Sequence, residues 1–150
     1  MAEFDPATFS SVDPDTFVQL VRGTSDARLK EIMSGPSRRQ VLDEIFRRFP
    51  DLFRPEKAGD TEAVLHWTLT DRPDGGVDTY EVVISGGRCT TSGTPAHEPR
   101  LALTMAPLHF LRLITGSANP VMMFMTGKVK AKGDLGLAAD MANLFDLPKG

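Results

Sequence analysis

The sequence predicts a mixed fold with a helical first third, a stranded middle and a last third that uses both. Three observations carry this. Residues 1–58 place apolar side chains at three- and four-residue intervals, the spacing of one helix face. From Ala63 the period changes to two, which is the pleat of a half-buried strand. Beyond residue 106 both periods return. The 150 residues are enough for one ordinary domain with its own core. With 41% apolar and 25% charged residues, the composition is that of a soluble globular chain and not a disordered one.

The first helix is read from Asp13-Pro14, an N-cap followed by proline at the first helical position, with Phe17, Leu20 and Val21 on one stripe and Gly23 as the stop. Asp26 is expected to cap a second helix carrying Leu29, Ile32 and Met33, with Gly35 after it. The third is the strongest: Val41, Leu42, Ile45, Phe46 and Phe49 form a stripe, and Arg38, Arg39, Asp43, Glu44, Arg47 and Arg48 are expected on the solvent side. Pro50 should end it. Asp51 to Gly59 reads as a linker.

In the middle, Ala63, Leu65, Trp67 and Leu69 share one face of a strand. The turn Arg72-Pro73-Asp74-Gly75-Gly76 follows, then Tyr80, Val82 and Ile84 alternate in a second strand. Gly86-Gly87 is a hairpin signal. Cys89 to Ser92 gives a third strand, and Leu101, Leu103 and Met105 a fourth. The expected arrangement is a meander of about four strands with one apolar face. Pro107 opens a further helix through Leu108, Leu111 and Ile114, stopped by Gly116. Asn119-Pro120 restarts a short one, Val121 to Met125, apolar nearly all round, which argues against full solvation. Lys128-Val129-Lys130-Ala131-Lys132 alternates again, its lysines suiting a solvent face or an edge strand. Asp134 should cap a last helix with Leu137, Met141, Leu144 and Phe145 on one side.

Charge and motifs exclude more than they assign. The net charge of -3 and the mildly acidic pI near 5.6 argue against nucleic-acid binding. The single cysteine, Cys89, excludes an internal disulfide framework and is read as a buried structural thiol. The longest apolar run, Val121 to Met125, is too short to span a bilayer. Met1-Ala2-Glu3-Phe4-Asp5 has no basic or apolar leader character, so cytoplasm is the expected compartment. His66, His97 and His109 lack metal-ligand spacing, and no nucleophile elbow or phosphate-binding loop occurs. Gly133-Asp134-Leu135-Gly136 reads as a helix start, and Asp134 and Asp140 as a cap and a solvated residue rather than as catalytic acids. No catalytic residue, metal or cofactor is expected, and hence no enzyme.

What remains is an apolar surplus toward the C-terminus, where Met105, Met122, Met123, Met125 and Met141 stand with Phe110, Leu111, Ile114, Phe124, Leu144 and Phe145. Methionine lines irregular, adaptable apolar surfaces well. Periodicity alone does not separate a filled core from a lined tunnel.

The run from Leu101 to Gly116, then Asn119-Pro120, then Phe124-Met125-Thr126-Gly127-Lys128-Val129-Lys130-Ala131-Lys132-Gly133-Asp134-Leu135-Gly136-Leu137-Ala138 resembles the sterol-carrier-protein-2-like (SCP-2) sterol-binding domain family. That family shows a strand, a helix ending in glycine, an N-P or D-P step, and then F-M-S/T-G-K-[apolar]-K-[apolar]-x-G-D. The likeness covers roughly residues 45–147 and is most specific at the C-terminal end. It implies an α+β fold: a mostly antiparallel five-stranded sheet, helices packed on one face, and an apolar tunnel between the layers for fatty acyl chains, acyl-CoA, sterols or other lipids. It divides the chain into an N-terminal helical arm, residues 1–44, and an SCP-2-like lipid-binding domain, residues 45–150. Fold does not fix the ligand.

The reading that follows is binding or transfer of a hydrophobic ligand, the alternative being a non-catalytic interaction or oligomerisation module with a filled core. The expected lining is Leu65, Trp67, Leu103, Met105, Phe110, Ile114, Met122, Met123, Met125, Leu137, Met141 and Phe145. Burying on the order of 300 Å² of ligand there would supply roughly 7 kcal/mol before ordering costs. The expected partners are a lipid or other hydrophobic small molecule, no nucleic acid, at most transient membrane contact through Lys128, Lys130 and Lys132, and a homodimer as an open option.

Overall fold

The computed structural model describes residues 13–116, 120–137 and 144. Its helical elements begin with α1 (Pro14–Arg22), α2 (Asp26–Met33), α3 (Arg38–Leu52) and α4 (Pro55–Ala58). The Asp13 side chain accepts the Thr16 amide at 2.7 Å and starts α1 as its sequence predicts. In α2 the cap is Ser25 and not Asp26: the Ser25 hydroxyl accepts the Arg28 amide at 3.2 Å. Asp26 instead sits in the first turn, where a negative charge complements the helix dipole.

Two expectations about α3 are corrected. Pro50 lies inside the helix, which continues to Leu52. Proline removes the donor that would bond the Phe46 carbonyl, and the Thr91 hydroxyl on the sheet fills that role at 2.9 Å. Arg38, expected on the solvent side, is only 3% exposed. Its Nε donates to Asp78 at 2.9 Å, and its two terminal nitrogens donate to the Thr70 and Leu69 carbonyls, each at 2.9 Å. An ion pair thus carries the start of α3 onto the end of one strand and the start of the next. The segment read as a linker is also structured. It contains α4, it buries Phe53 and Ala58, and the Arg54 amide donates to the Leu144 carbonyl at 2.8 Å.

The strands are β1 (Ala63–Leu69), β2 (Asp78–Ser85), β3 (Arg88–Ser92), β4 (Leu101–Met105) and β5 (Val129–Gly133), in the order β3-β2-β1-β4-β5. Three of the four pairings are antiparallel; β1 and β4 are parallel. The expected four-strand meander therefore holds only through β3. The chain then crosses the outer face of the sheet. The Ala96 and His97 amides donate to Glu81 at 3.1 and 2.9 Å, and the Arg100 amide to the Val64 carbonyl at 2.8 Å. Tethered in this way, the chain reaches the far side of β1. Gly133 sits at φ +112°, and a Cβ there would stand 2.4 Å from the Arg100 carbonyl oxygen, so only glycine lets β5 close on β4.

Leu65, Trp67, Leu69, Tyr80, Val82, Ile84, Leu101, Leu103 and Met105 are buried beneath the helical layer, made by α3, α5 (Pro107–Ile114) and α6 (Pro120–Met125). The first two helices are built into this layer. Arg112 of α5 donates to the Val21 and Thr24 carbonyls at 3.1 and 2.9 Å and pairs with Asp26 at 2.7 Å, while Arg22 donates to the Thr115 carbonyl at 2.9 Å. Val21, Leu29 and Met33 share one continuous core with Phe110 and Leu111.

Candidate functional site

The space between sheet and helices is where a hydrophobic guest was expected. At its centre stand aromatic rings from four elements. Phe46 stacks on Tyr80 with centroids 4.3 Å apart and on Phe110 at 5.3 Å. Trp67 meets Phe110 edge-on at 5.5 Å and Phe49 at 5.8 Å. Aromatic pairs in such geometries add about 0.5–1.5 kcal/mol each beyond their burial. These rings occupy part of the space between the layers in which the apolar tunnel was expected.

Of the expected lining residues, Leu65, Trp67, Leu103, Met105, Phe110, Ile114, Met123 and Leu137 are buried. Met122 and Met125 are not: they are 56% and 73% exposed. The reason is helical geometry. Successive residues turn by about 100°, so a single-sided contact buries Met123 and leaves its neighbours outside. Met141 and Phe145 lie outside the described residues, as does Asp140.

Trp67 is a special case within this group. Its indole Nε1 is buried and has no hydrogen-bond partner. Buried polar groups in native proteins nearly always have one, so this donor marks a place where an acceptor oxygen would be favourable.

A cleft of about 520 Å³ opens at one end of the sheet, lined by Lys57, Thr61, Arg100, Asp134, Gly136, Leu137 and Leu144. Its rim is polar and its apolar wall comes from Leu137 and Leu144. Arg100 pairs with Asp134 at 2.8 Å and also donates to the Glu62 carbonyl at 2.8 Å. Asp134 accepts the Leu137 amide at 3.1 Å, the capping role its position predicts. These bonds to Leu137 and Arg100 hold its carboxyl below the usual carboxylate range. Leu137 is the one expected lining residue among the cleft's described walls.

Sequence reasoning missed a polar cluster on the outer face. Glu81, 3% exposed, accepts from the His97 amide and the Ala96 amide, with the His97 and His66 rings at 2.9 and 3.0 Å. Burial opposes its ionisation, and these four bonds outweigh that and lower its carboxyl to about 2. The hairpin register sets His66 opposite Glu81, and that pairing was open to inference; the loop that brings His97 over them was not. Among the described residues no group of three or more His, Cys, Asp and Glu side chains is placed to hold a metal ion. Burial pushes the Cys89 thiol up to about 12, so it has little thiolate character. It also keeps Tyr80, which donates to Asp43 at 2.5 Å, protonated far above its ordinary range. Nothing in these pairings brings a nucleophile and a base together at an open position.

The family assignment rests on sequence as well as fold. The profile of the SCP-2 sterol transfer family matches residues 42–146. The chain belongs to that family. Hydroxysteroid dehydrogenase-like protein 2 of Rattus norvegicus is 31% identical over 105 residues, 70% of this chain and 20% of that protein. Sterol carrier protein 2 of Homo sapiens is 32% identical over 81 residues, 54% of this chain and 15% of that protein. The crystal structure of sterol carrier protein 2 like 2 from Aedes aegypti superposes with a TM-score of 0.54 at 17% identity, covering 71% of this chain and 94% of that one. The last comparison shows the fold alone. The chain spans about a fifth of the length of the first-named relative. SCP-2 membership agrees with the α+β architecture, the mostly antiparallel five-stranded sheet and the helices on one of its faces.

Proposed function

We propose that this SCP-2 domain binds and transfers a lipid whose apolar tail is held between the helical layer and the sheet. The observation that carries the reading is the family match over residues 42–146, joined to an apolar sheet face roofed by helices. The ligand class is a long-chain fatty acid, an acyl thioester, a sterol or a related amphiphile. The cleft supports a guest with oxygen at one end, because it sets the cations Lys57 and Arg100 beside the apolar Leu137 and Leu144. In this reading the cleft is the entrance, and the tail advances by displacing side chains of the interlayer packing. The driving force is removal of apolar surface from water.

The test is saturable uptake of a fluorescent fatty acid, competed by an unlabelled one, together with native mass spectrometry of lipid carried through purification. Uptake without saturation, or no lipid retained at any loading, contradicts the reading. A second reading is favoured by the ring cluster of Phe46, Phe49, Trp67, Tyr80 and Phe110. With the interior filled, the domain acts as a non-catalytic interaction or self-association module. Concentration-dependent native mass without lipid uptake supports that alternative.

A further inference from the structure

The sheet ends at β5, and among the described residues no strand lies beyond it. Two bonds fix which backbone groups this edge leaves open. The Thr70 amide donates to the Met105 carbonyl at 3.0 Å, and the Asp134 amide to the Arg100 carbonyl at 2.9 Å. In β4, therefore, odd-numbered residues bond toward β1 and even-numbered ones toward β5. The register sets Thr104 against Lys130 and Ala102 against Lys132, so these are the hydrogen-bonded pairs of the ladder. The N–H and C=O groups of Val129, Ala131 and Gly133 then point the other way, to the open edge. Such a row of unpaired backbone groups is a template for a further strand.

The side chains of β5 divide between the two faces of the sheet. Lys130 and Lys132 are exposed on the face away from the helices, and neither has an ion-pair partner among the described residues. No acidic residue occurs between Met105 and Asp134, although the whole chain is net negative. On the other face Val129 is buried and Ala131 half-buried. There the Lys128 amide donates to the Met123 carbonyl at 2.9 Å and ties α6 to the strand, while Met122, Phe124 and Met125 stay exposed. The lysines decide which strand this edge accepts. Antiparallel pairing with β5 of a second copy, centred on Ala131, would set Lys130 opposite Lys132, and like charges so placed repel. A strand carrying carboxylates at those positions is attracted instead.

We propose that β5 receives an extended segment of a partner protein as a sixth, antiparallel strand, and that this segment alternates acidic and apolar residues. Its backbone bonds the open groups of Val129, Ala131 and Gly133. The residues opposite Lys130 and Lys132 fall in the non-hydrogen-bonded pairs, where Cα atoms approach to about 4.5 Å and side chains stand closest. These are the places for Asp or Glu. The residues that alternate with them point to the helical side, where Val129, Ala131 and α6 offer apolar surface. One strand thus reads both faces of the edge: carboxylates meet the lysines, and apolar side chains meet the helical layer. Main-chain bonds supply the affinity and the alternate side chains the specificity. This docking does not depend on a lipid between the layers.

The experiment titrates the isotope-labelled full chain with a short peptide of alternating valine and glutamate, followed by magnetic resonance. Saturable binding is expected, weakening as salt rises. Amide exchange should slow at Val129, Ala131 and Gly133 and stay unchanged at Lys130 and Lys132, whose amides already bond β4. The K130Q/K132Q variant should bind about tenfold more weakly, roughly threefold for each cross-strand ion pair lost. K130E/K132E should reject this peptide and take one of alternating valine and lysine. N-methylation of the peptide's valine amides, the donors that face β5, should abolish binding. That change leaves the protein untouched, so a misfolded variant cannot account for the loss. The same modification on the glutamate amides, which face solvent, should be tolerated. Full binding by K130Q/K132Q, by the valine-methylated peptide or by a peptide with its glutamates in one block overturns the proposal. So does slowed exchange at β3 in place of β5, or self-association through β5 with no peptide bound.

Discussion

Replacing Phe110 with alanine probes the interlayer space directly. Phe110 is fully buried, stacks on Phe46 at 5.3 Å and meets Trp67 at 5.5 Å. Its truncation removes ring contacts on both sides and leaves a hole roofed by α3 and floored by β1. Large-to-small changes of this kind cost about 3–5 kcal/mol. For a chain of this size that is roughly a 6–20 °C fall in melting temperature. The hole is also the space a lipid tail needs. A long-chain fatty acid at a hundred times its dissociation constant returns about 2.7 kcal/mol to the folded state. F110A should therefore recover a large part of its lost stability when ligand is added, and by more than the parent gains. The assay is thermal or urea unfolding of both proteins with and without the fatty acid. A loss below about 1 kcal/mol would show that the ring is not packed as described. A normal loss with no ligand rescue would show that the interlayer space is not where the tail goes.

Three further outcomes follow from the polar structure. Arg38→Met strands the buried Asp78 carboxylate and the Leu69 and Thr70 carbonyls, so denaturant melts should show a loss of about 3–5 kcal/mol; a change under 1 kcal/mol refutes the role of the pair. For Asp78 burial opposes the charge and Arg38 outweighs it, and both Asp78 and Glu81 titrate below their ordinary values. Their stabilising contribution is present above the unfolded-state carboxylate range and fades as pH falls through the folded values. Acid unfolding of E81Q should be shallower than that of the parent over this interval, with neutral-pH stability down by about 1–3 kcal/mol. Cys89, buried with its thiol pushed up to about 12, should react with a thiol reagent only as fast as the chain opens, and fast labelling of the native protein would contradict its placement.

Much of the fold was legible in the sequence because local rules and tertiary packing agree. Asp13-Pro14 starts a helix, the alternation of Ala63 to Leu69 makes a strand with Leu65 and Trp67 inward, and Lys128 to Lys132 lies on an edge. The misreadings share one cause: a long-range partner changes the meaning of a residue. Arg38 looks solvated until Asp78, forty positions away, is folded against it. Pro50 looks like a stop until Thr91 satisfies the Phe46 carbonyl. The return of β4 to the side of β1 depends on the loop held at Glu81, which no period reveals. For the site, periodicity identified the buried residues of the sheet face, but it cannot tell a filled interior from an open one. It also treats Met122, Met123 and Met125 alike, although only Met123 turns inward.

The chain has one tryptophan, so its proton–nitrogen spectrum holds a single indole resonance, that of Trp67. Titrating labelled protein with a long-chain fatty acid while following that resonance tests the central claim most directly. Occupancy between the layers should move it in a saturable way, as the ring cluster rearranges and the indole N–H gains an acceptor or a new apolar neighbour. An indole resonance that stays fixed while the fatty acid binds elsewhere, or does not bind at all, contradicts a ligand housed between helices and sheet.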